Sequence, residues 1–519
     1  MLVYSLLALL PAASLVRAQV VAPGIEPFAL CLQGTGLKVE LPTNATWDAS
    51  TAAFNTRFHY TPAAIVYPTH AADVAQAVRC AGLFGVPVSP LSGGHSYAAS
   101  GYGSRDGELV VAFRDMAAVT YSAAGQTAAI QPGARLGDVA LALFNGYGRA
   151  LAHGVCPYVG VGGHTAFGGW GFASRNWGLM IDQVVAAELV LANGTLVHVS
   201  NTQHPEILKV SATITQPIAR KLSSHQGVRG AASSFGIVTQ YTFQTHAAPS
   251  SVVRFSFSYS NPQLAPAAFA QVMGAYQTWA ATVPKQMGIE ANIWDSGKTI
   301  ELGGYYMGPL DQFNATFTPL LKAAGEPNGR YVQERSWIDA LVEVNGGSPL
   351  STIGKPEMHS TFYAKSLVVP TANPLSPNAF SALAAYFSAH PAPAGTSWFI
   401  QFELWGGGDS QISSVPSTAT AYPHRAHLFT IQFYAYATPG TWSAAGGVPF
   451  VDGLVAALQR NSPGTKFGAY ANYLDPDLRD WREMYWAGNY AALEHARMSV
   501  DPHGLFAKKQ SIGAEKYPV

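Results

Sequence analysis

The sequence predicts an α+β protein with two domains, and three observations support this prediction. Up to about residue 245, short apolar runs typical of buried strands alternate with runs of helical periodicity. From about residue 246, apolar and polar residues alternate instead, as they do in an antiparallel sheet with one face wet or lined by a ligand. The chain of 519 residues is also long enough for two or three domains with large cores.

The first part of the chain contains both strands and helices. Apolar runs bounded by proline, glycine or polar residues predict short strands at 64–67, 86–91, 109–113, 128–134 and 234–239. Apolar residues at helical spacing predict helices at 70–84 and 136–144. Two further runs, 184–191 and 196–199, flank Asn193-Gly194, a dipeptide typical of hairpin turns, and they predict a β-hairpin.

The second part of the chain is dominated by alternating strands. Alternation predicts strands at 252–259, 288–294, 301–307, 398–405 and 428–436, separated by helical stretches such as 267–280. The last stretch is rich in aromatic residues, and we expect it to fold back on the first domain. The resulting domain prediction is a first domain over 19–245, a second over 246–460 and a C-terminal segment over 461–519.

Charge and hydropathy limit the partners and the location of the protein. Charged residues make up 12% of the chain and are balanced, 30 basic against 30 acidic, which argues against nucleic acid as a partner. An apolar stretch that ends at Ala18 predicts a secretory signal over 1–18, with a buried first helix as the alternative. No later run of eighteen apolar residues occurs, so we expect no membrane span. Acceptor triplets at Asn44, Asn193 and Asn314 fit a secreted, extracellular glycoprotein.

The chain has three cysteines, an odd number for an oxidising compartment. Cys31 and Cys80 flank the first apparent unit, and we expect them to form a disulfide. Cys156 is then unpaired. A spare thiol is a liability in a secreted protein, and a covalent ligand would remove it.

Two glycine-rich stretches are candidate ligand sites. Residues 154–178 contain eight glycines together with Cys156, a density that fits a backbone turning tightly beside a large flat ligand. A strand also runs into the Gly-Gly turn of 92–97, where free backbone amides could bind phosphate. Without further motifs, the 154–178 stretch could be an ordinary loop.

Several motifs, in order along the chain, together resemble one family. They lie at 92–96, 154–156, 160–171, 229–239 and 470–475. In combination they resemble the flavoprotein oxidases related to vanillyl-alcohol oxidase and berberine bridge enzyme. Within that family, the greatest likeness is to secreted fungal oxidases of gluco-, chito- or xylo-oligosaccharides. The resemblance covers nearly the whole chain after the predicted signal.

The resemblance implies an FAD-binding domain of the vanillyl-alcohol oxidase type and a substrate domain whose antiparallel sheet is covered by helices. It implies FAD held by two covalent bonds, from His95 to the 8α-methyl carbon and from Cys156 to carbon 6. A turn-capping role is the alternative for His95. The other FAD-binding residues implied are Ser92, Gly93, Gly94, Ser96, Gly160, Gly163, His164, Gly168, Gly236, Val238, Tyr470 and Asn472.

The implied reaction moves a hydride from the anomeric carbon of a reducing-end sugar to FAD, gives a lactone, and ends with reduction of dioxygen to hydrogen peroxide. Tyr473 is the implied base, assisted by a carboxylate that accepts its proton. Glu403 stands where the family often has aspartate, and its extra methylene moves the carboxylate. The alternatives are a packed aromatic for Tyr473 and a solvated strand residue for Glu403.

The substrate-binding residues implied by the resemblance are Tyr97, Glu290, Gln401 and Gln432. Gln401 and Glu403 are two apart on a predicted strand and therefore share a face. Trp398, Phe399 or Trp405 could stack on a sugar. We expect a monomer with no metal site.

The sequence is also compatible with other functions. The chain could be a related oxidase acting on an alkaloid or other secondary metabolite, a dehydrogenase that reacts poorly with dioxygen, or a secreted binding protein without turnover. Residues 209–226 match nothing in the family, and we interpret them as a loop foreign to the fold or an unspliced remnant.

Overall fold

The part of the chain that the structure describes contains three large sheets and one two-stranded sheet. The structure is a computed structural model, and it describes residues 25–204, 227–260, 265–294, 297–437 and 441–514. The predicted signal and the unmatched insert at 209–226 lie outside the described residues. Helices and antiparallel sheets occur together, so the predicted α+β class is confirmed.

The first sheet has four strands in the order β1-β2-β4-β3. These strands are β1 (Lys38–Glu40), β2 (Ala64–Tyr67), β3 (Val88–Leu91) and β4 (Leu109–Ala112). The neighbours β2, β4 and β3 are parallel, and β2 and β4 are buried along their whole length, as parallel strands usually are. Helices Ile25–Gly34 and Ala71–Phe84 pack on this sheet, and the predicted disulfide between Cys31 and Cys80 joins them.

The second sheet is antiparallel, with the order β5-β6-β10-β8-β9. Its strands are β5 (Val119–Ser122), β6 (Thr127–Ile130), β8 (Val184–Val190), β9 (Leu196–Ser200) and β10 (Ile237–Gln244), while β7 (Arg149–Ala150) pairs with β11 (His246–Ala247). The hairpin predicted around Asn193-Gly194 is confirmed, because β8 and β9 pair on either side of it. Helix Leu136–Tyr147 extends beyond its predicted end and stops at Gly148, which has a φ of 61°.

The third sheet has seven antiparallel strands in the order β15-β12-β14-β13-β17-β18-β16. The strands are β12 (Val252–Ser260), β13 (Met287–Trp294), β14 (Thr299–Tyr306), β15 (Gly329–Arg335), β16 (Thr361–Pro370), β17 (Thr396–Leu404) and β18 (His427–Ala437). One face packs in an apolar core with helices Pro266–Ala280, Leu310–Ala324, Pro377–Ala389 and Ala444–Arg460. The predicted antiparallel sheet covered by helices is therefore confirmed.

Two strands of this sheet were not predicted, for opposite reasons. The edge strand β15 is half-exposed to exposed at every position, so it has no apolar face that would produce alternation. β16 is buried at eight of its ten positions, so its two faces do not differ in polarity. Alternation reports a strand only when one of its faces is buried and the other is not.

The C-terminal segment contacts both the first and the third sheet. Leu505 O accepts a hydrogen bond from Val88 N (2.8 Å), and Leu505 and Phe506 join the core beside the first sheet. Gly468 pairs with Val368 of β16. None of the helices within the described ranges is long and apolar enough to cross a membrane. The exact domain boundaries stay predictions.

A single buried arginine ties the glycine-rich stretch to the third sheet. Arg175 lies in the short helix Ser174–Trp177 and is fully buried. Its five N–H groups donate to five carbonyl oxygens, those of Val283, Pro284, Met287, Gly406 and Gly407. Burial lowers the pKa of Arg175 to about 10, which still leaves the guanidinium charged at neutral pH.

Candidate active site

The two glycine motifs meet through their backbones. A Cβ atom on Gly93 would lie 2.2 Å from Gly160 N, and a Cβ atom on Gly160 would lie 2.2 Å from Gly93 N. No side chain fits at either position. The glycines are therefore required by a close approach of two chain segments, and this contact brings the 92–97 loop beside the 154–178 stretch.

A cavity lies between these loops and the C-terminal segment. Its wall includes Tyr473, the predicted base, and Tyr97. The predicted FAD-binding residues that line it are Ser92, Gly93, Gly94, His95, Ser96, Gly160, Gly163, His164, Gly236, Val238 and Asn472. Three predicted FAD-binding residues, Cys156, Gly168 and Tyr470, lie outside this lining.

His95 presents a neutral imidazole to this cavity. Its ring stacks on Phe54, with 4.1 Å between ring centroids, and Tyr158 stacks at 6.5 Å. Its Nε2 is buried and has no hydrogen-bond partner among the described residues, which does not support a turn-capping role. Burial, aided by the charges of Arg135 and His359, lowers the pKa of His95 to about 3. The imidazole is therefore unprotonated at neutral pH.

Cys156 is a free, half-buried thiol. Burial raises its pKa, while the backbone N–H groups of Tyr158 and Val159 and the charge of Arg135 act in the opposite direction. The thiol lies close enough to Tyr97 and Tyr434 to influence their pKa values, which burial raises first of all. Cys156 is thus within electrostatic range of both tyrosines.

Glu403 and Tyr473 form a buried hydrogen-bonded pair. The Tyr473 hydroxyl donates to one carboxylate oxygen of Glu403, and Trp405 Nε1 donates to the other at 2.9 Å. The extra methylene of glutamate therefore does not prevent contact with the tyrosine. Glu403 is only 1% exposed, so the alternative of a solvated strand residue is excluded.

Burial separates the acidities of this pair. It raises the pKa of Glu403, the hydrogen bonds from Tyr473 and Trp405 oppose that rise, and the charge of Glu290 adds to it, so that the pKa lies at about 8. Burial and the charge of Glu403 also raise the pKa of Tyr473 well above its usual range. Glu403 therefore loses its proton at a lower pH than Tyr473, which makes the carboxylate the acceptor in any proton transfer between them.

The four predicted substrate-binding residues form two hydrogen-bonded pairs beside Tyr473, Glu290 with Gln401 and Tyr97 with Gln432. Glu290 lies directly opposite Glu403 in the pairing of β13 with β17, and it accepts hydrogen bonds from Asn292 (2.8 Å) and Gln401 (3.3 Å). Gln432 lies opposite Gln401 and donates to the Tyr97 hydroxyl at 2.5 Å. The rings of Tyr97 and Tyr473 stack, 5.6 Å apart and 4° from parallel. Burial raises the pKa of Glu290 to about 7.

Only one of the three predicted aromatic platforms lies on this face. Phe399 stacks on Tyr434, with 4.8 Å between ring centroids. Trp398 instead belongs to the apolar core under the helices, because it alternates out of phase with Gln401. Trp405 is fully buried and stacks on Trp170. The prediction that Trp398 or Trp405 stacks on a sugar is therefore wrong.

Three predicted residues, Tyr470, Asn472 and Gly168, make contacts beside the cavity. The Tyr470 hydroxyl accepts from Gly169 N (2.8 Å), and Asn472 Nδ2 donates to that hydroxyl (2.9 Å) and to His164 O (3.0 Å). A Cβ atom on Gly168 would lie 2.8 Å from the Tyr470 ring. These contacts join the C-terminal segment to the glycine-rich stretch.

Sequence analysis missed several residues of the cavity. Lys508 lines it as a buried cation whose Nζ donates to Ser100 O at 3.0 Å, and burial lowers its pKa to about 8. Gln510, Tyr485 and Trp486 also line the cavity. The aromatic-rich composition of the C-terminal segment was the signal that this segment matters, but it did not single out individual residues.

Comparison with known proteins places this arrangement in a family. The FAD binding domain family matches residues 62–200, and the family described as berberine and berberine like matches residues 469–513. FAD-linked oxidoreductase dpmaF of Metarhizium anisopliae is 35% identical over 95% of this chain and 92% of its own length. The chain belongs to the berberine bridge enzyme-like family of FAD-linked oxidoreductases.

Other members of this family share the fold closely. The xylooligosaccharide oxidase of Thermothelomyces thermophilus is 34% identical over 93% of each protein. The solved structure of the glucooligosaccharide oxidase from Acremonium strictum, with its 6-S-cysteinyl, 8α-N1-histidyl FAD, is 30% identical and has a TM-score of 0.84. That alignment covers 94% of this chain and 99% of the other.

The residues of the cavity fit the FAD of this family. His95 offers a buried nitrogen that has no hydrogen-bond partner within the described part of the chain, and the Gly93–Gly160 contact leaves bare backbone at the cavity wall. Lys508 supplies a buried positive charge, which suits the pyrophosphate of a dinucleotide.

Proposed function

We propose that this family member is a secreted oxidase that converts the anomeric carbon of reducing-end oligosaccharides into a lactone and reduces dioxygen to hydrogen peroxide. We further propose that FAD is bound covalently through both His95 and Cys156. The relatives that are named as xylo- and glucooligosaccharide oxidases support the substrate class.

One observation carries the proposal: the Tyr473–Glu403 pair has the polar sheet face of Glu290, Gln401 and Gln432 on one side and the cofactor cavity on the other. Side chains with amide and carboxylate groups suit a ligand with many hydroxyl groups. A reacting carbon held between the two regions would have a proton acceptor and a redox cofactor within reach.

The side chains of this chain define a proton path. The substrate hydroxyl would give its proton to Tyr473 Oη while Tyr473 passes its own proton to Glu403. Trp405 holds the second oxygen of Glu403, so the carboxylate stays aimed at the tyrosine. Bound FAD would supply the redox chemistry, by accepting a hydride from the anomeric carbon and returning the electrons to dioxygen.

A disulfide and exposed acceptor residues for N-glycans support secretion. The Cys31–Cys80 disulfide fits an oxidising compartment. The acceptor residues Asn44, Asn193 and Asn314 are all exposed. Removal of N-glycans from the secreted protein should increase its mobility on a gel, and an unchanged mobility would contradict glycosylation.

Peroxide release over a panel of cello-, xylo- and chito-oligosaccharides tests the substrate class. We expect release with at least one reducing oligosaccharide and none with the same sugar after its reducing end has been converted to an alditol. Release that is independent of the reducing end would contradict oxidation at the anomeric carbon. Yellow colour in the acid-precipitated protein tests covalent FAD, and a colourless pellet would contradict it.

A second candidate is oxidation of an alcohol in an alkaloid or other secondary metabolite. An aromatic cluster supports it, since Tyr434 stacks on Phe362 at 4.4 Å and on Phe399 at 4.8 Å beside Tyr97. This cluster would accept a flat apolar ligand as well as a sugar ring. Turnover of aromatic or allylic alcohols without turnover of any oligosaccharide would favour this candidate, whether dioxygen or an artificial dye accepts the electrons.

A further inference from the structure

One guanidinium joins the two loops that carry His95 and Cys156. Arg135 Nη1 donates to Gly93 O at 2.6 Å and to Tyr158 O at 2.5 Å. Gly93 is two residues before His95, and Tyr158 is two residues after Cys156. The side chain of Arg135 is only 17% exposed, so both bonds are shielded from water.

The backbone at Arg135 reinforces this connection. Arg135 forms an isolated antiparallel bridge with Gly160, and the next two residues donate to the carbonyl groups of Val159 (2.9 Å) and Pro157 (3.1 Å). The Cys156 loop is therefore fixed to the start of helix Leu136–Tyr147. The His95 loop is joined to the 154–178 stretch by the Arg135 side chain, by the contact between the two glycines and by Ser92 Oγ, which accepts from Gly162 N at 3.1 Å.

The charge of Arg135 acts on both side chains in the direction that nucleophilic attack requires. Together with burial, which is the larger effect, it lowers the pKa of His95, so the imidazole stays neutral. Burial raises the pKa of Cys156, and Arg135 opposes that rise, which favours the thiolate. The other titratable groups acting here are His359 near His95, and Tyr97 and Tyr434 near Cys156.

We propose that Arg135 is the positioning residue for covalent attachment of FAD, because it holds the His95 and Cys156 loops together. This inference rests on the proposed attachment through both residues, and no earlier step of the proposed function depends on it.

Each attachment is an oxidative substitution that dioxygen completes. A bond forms from the imidazole nitrogen to the 8α-carbon, or from Sγ to carbon 6, and one C–H bond of the flavin is broken. The protons of that C–H bond and of the N–H or S–H group are released, and the electron pair remains on the flavin. Dioxygen takes this pair and two protons, which gives hydrogen peroxide and restores the oxidised flavin.

The experiment measures attachment rather than turnover. Full-length protein is produced in riboflavin-starved cells, mixed with FAD in air, and quenched with acid at intervals, and the flavin retained by the precipitate is measured. H95A and C156A backgrounds isolate the two bonds. R135M is compared with E357Q, because Glu357 is 59% exposed and accepts from Arg135 Nη2 (2.6 Å) without touching either loop carbonyl.

We expect R135M to slow both attachments at pH 7, and E357Q to change neither by more than about twofold. A rise of one unit in the thiol pKa alone lowers the thiolate fraction about tenfold. In the H95A background the R135M defect should therefore diminish as the pH is raised, whereas a purely structural defect would persist at every pH. R135K, which keeps the charge but has fewer directed donors, should slow the His95 bond while leaving the pH dependence of the Cys156 bond unchanged.

Attachment by R135M at the rate of the parent protein, or equal slowing by E357Q, would overturn the inference. If circular dichroism shows that R135M does not fold, R135K decides, and unaltered rates for both of its bonds overturn the inference. If the parent protein itself retains no flavin in acid, the proposed double attachment fails and this inference fails with it. Retention by the parent together with unaffected Arg135 variants refutes the inference alone.

Discussion

Two regions of this protein are built in different ways. The cofactor side consists of the loops at 92–97 and 154–178, and the proposed substrate side is the face of the third sheet that carries Glu290, Gln401, Glu403 and Gln432. On the cofactor side, backbone meets backbone at Gly93 and Gly160, and the chemistry rests on few side chains. On the substrate side, the third sheet supplies a regular face on which strand register sets the neighbours, as it does for Glu290 and Glu403. Substitutions should therefore act differently in the two regions: on the cofactor side they should disturb the fold, and on the sheet they should disturb the reaction.

The largest effect should come from removal of the Tyr473 hydroxyl, which lies between the cofactor side and the proposed substrate side. Tyr473→Phe removes the proton acceptor but keeps the ring that stacks on Tyr97. We expect kcat to fall by about 10²–10⁴-fold with flavin content unchanged. Steady-state kinetics on the best substrate of the oligosaccharide panel, with an absorbance spectrum, measures both.

Tyr97→Phe is the matched control for that variant, because Tyr97 is the other ring of the stack and its hydroxyl accepts from Gln432. It should raise KM more than it lowers kcat. If both phenylalanine variants reduced kcat equally, Tyr473 would have no special role as the base.

On the cofactor side, Gly93→Ala should destabilise the fold by about 3 kcal/mol or more, because its Cβ would meet the backbone of Gly160. Gly146→Ala is the control: it lies in helix Leu136–Tyr147 with no atom within 4 Å of the new Cβ. There we expect a stabilisation of about 0.5–1 kcal/mol. Thermal unfolding of both variants measures the difference. Similar melting temperatures would show that the contact between Gly93 and Gly160 does not require glycine.

The contrast also explains how much the sequence alone could predict. The cofactor side could be predicted because glycine in a loop is itself a signal of close approach between backbone segments, and because the motifs at 92–96 and 154–171 are local. The hairpin at Asn193-Gly194 was predictable for the same reason. The Cys31–Cys80 disulfide was predictable because the chain has only three cysteines and these two flank the first apparent unit. A lone basic residue has no such local signature, so neither Arg135 nor Lys508 stood out among 30 lysines and arginines.

On the sheet, alternation predicts which residues share a face but not what lies on that face. It correctly grouped Gln401 with Glu403, and the same rule assigns Trp398 to the opposite, helix-covered face. The position of Glu290 opposite Glu403 depends on the register between β13 and β17, which are distant in sequence. That register is fixed by packing of the whole sheet, and no local pattern contains it.

The connection between the two sides should be weakened by a conservative substitution at Arg175. Lysine has three donors, so Arg175→Lys leaves at least two of the five carbonyl oxygens without a partner. We expect a loss of stability of about 2–5 kcal/mol, since each buried unsatisfied group costs about 1–3 kcal/mol. Denaturant unfolding measures it, and an unchanged midpoint would mean that the two sides are held together without this residue.

The smallest effect should be a change in the pH dependence of the reaction. Glu403 must be ionised to take the proton from Tyr473, and burial raises its pKa to about 8. Activity should therefore rise with pH through about 8 and fall as the carboxylate becomes protonated below it. Glu290→Gln removes the facing negative charge, which should lower the pKa of Glu403 and move the profile to lower pH by on the order of one unit.

The profile of kcat separates this effect from a loss of substrate contacts. Glu290 is itself a proposed substrate-binding residue, so its substitution should also raise KM, but a lost contact does not move the pH at which saturated enzyme is half-active. Because the two carboxylates face each other, the parent profile reports the pair, and the variant reports Glu403 alone. A midpoint that stays the same in Glu290→Gln would show that another group controls the proton transfer, and a midpoint that moves to higher pH would show that Glu290 stabilises the charge on Glu403.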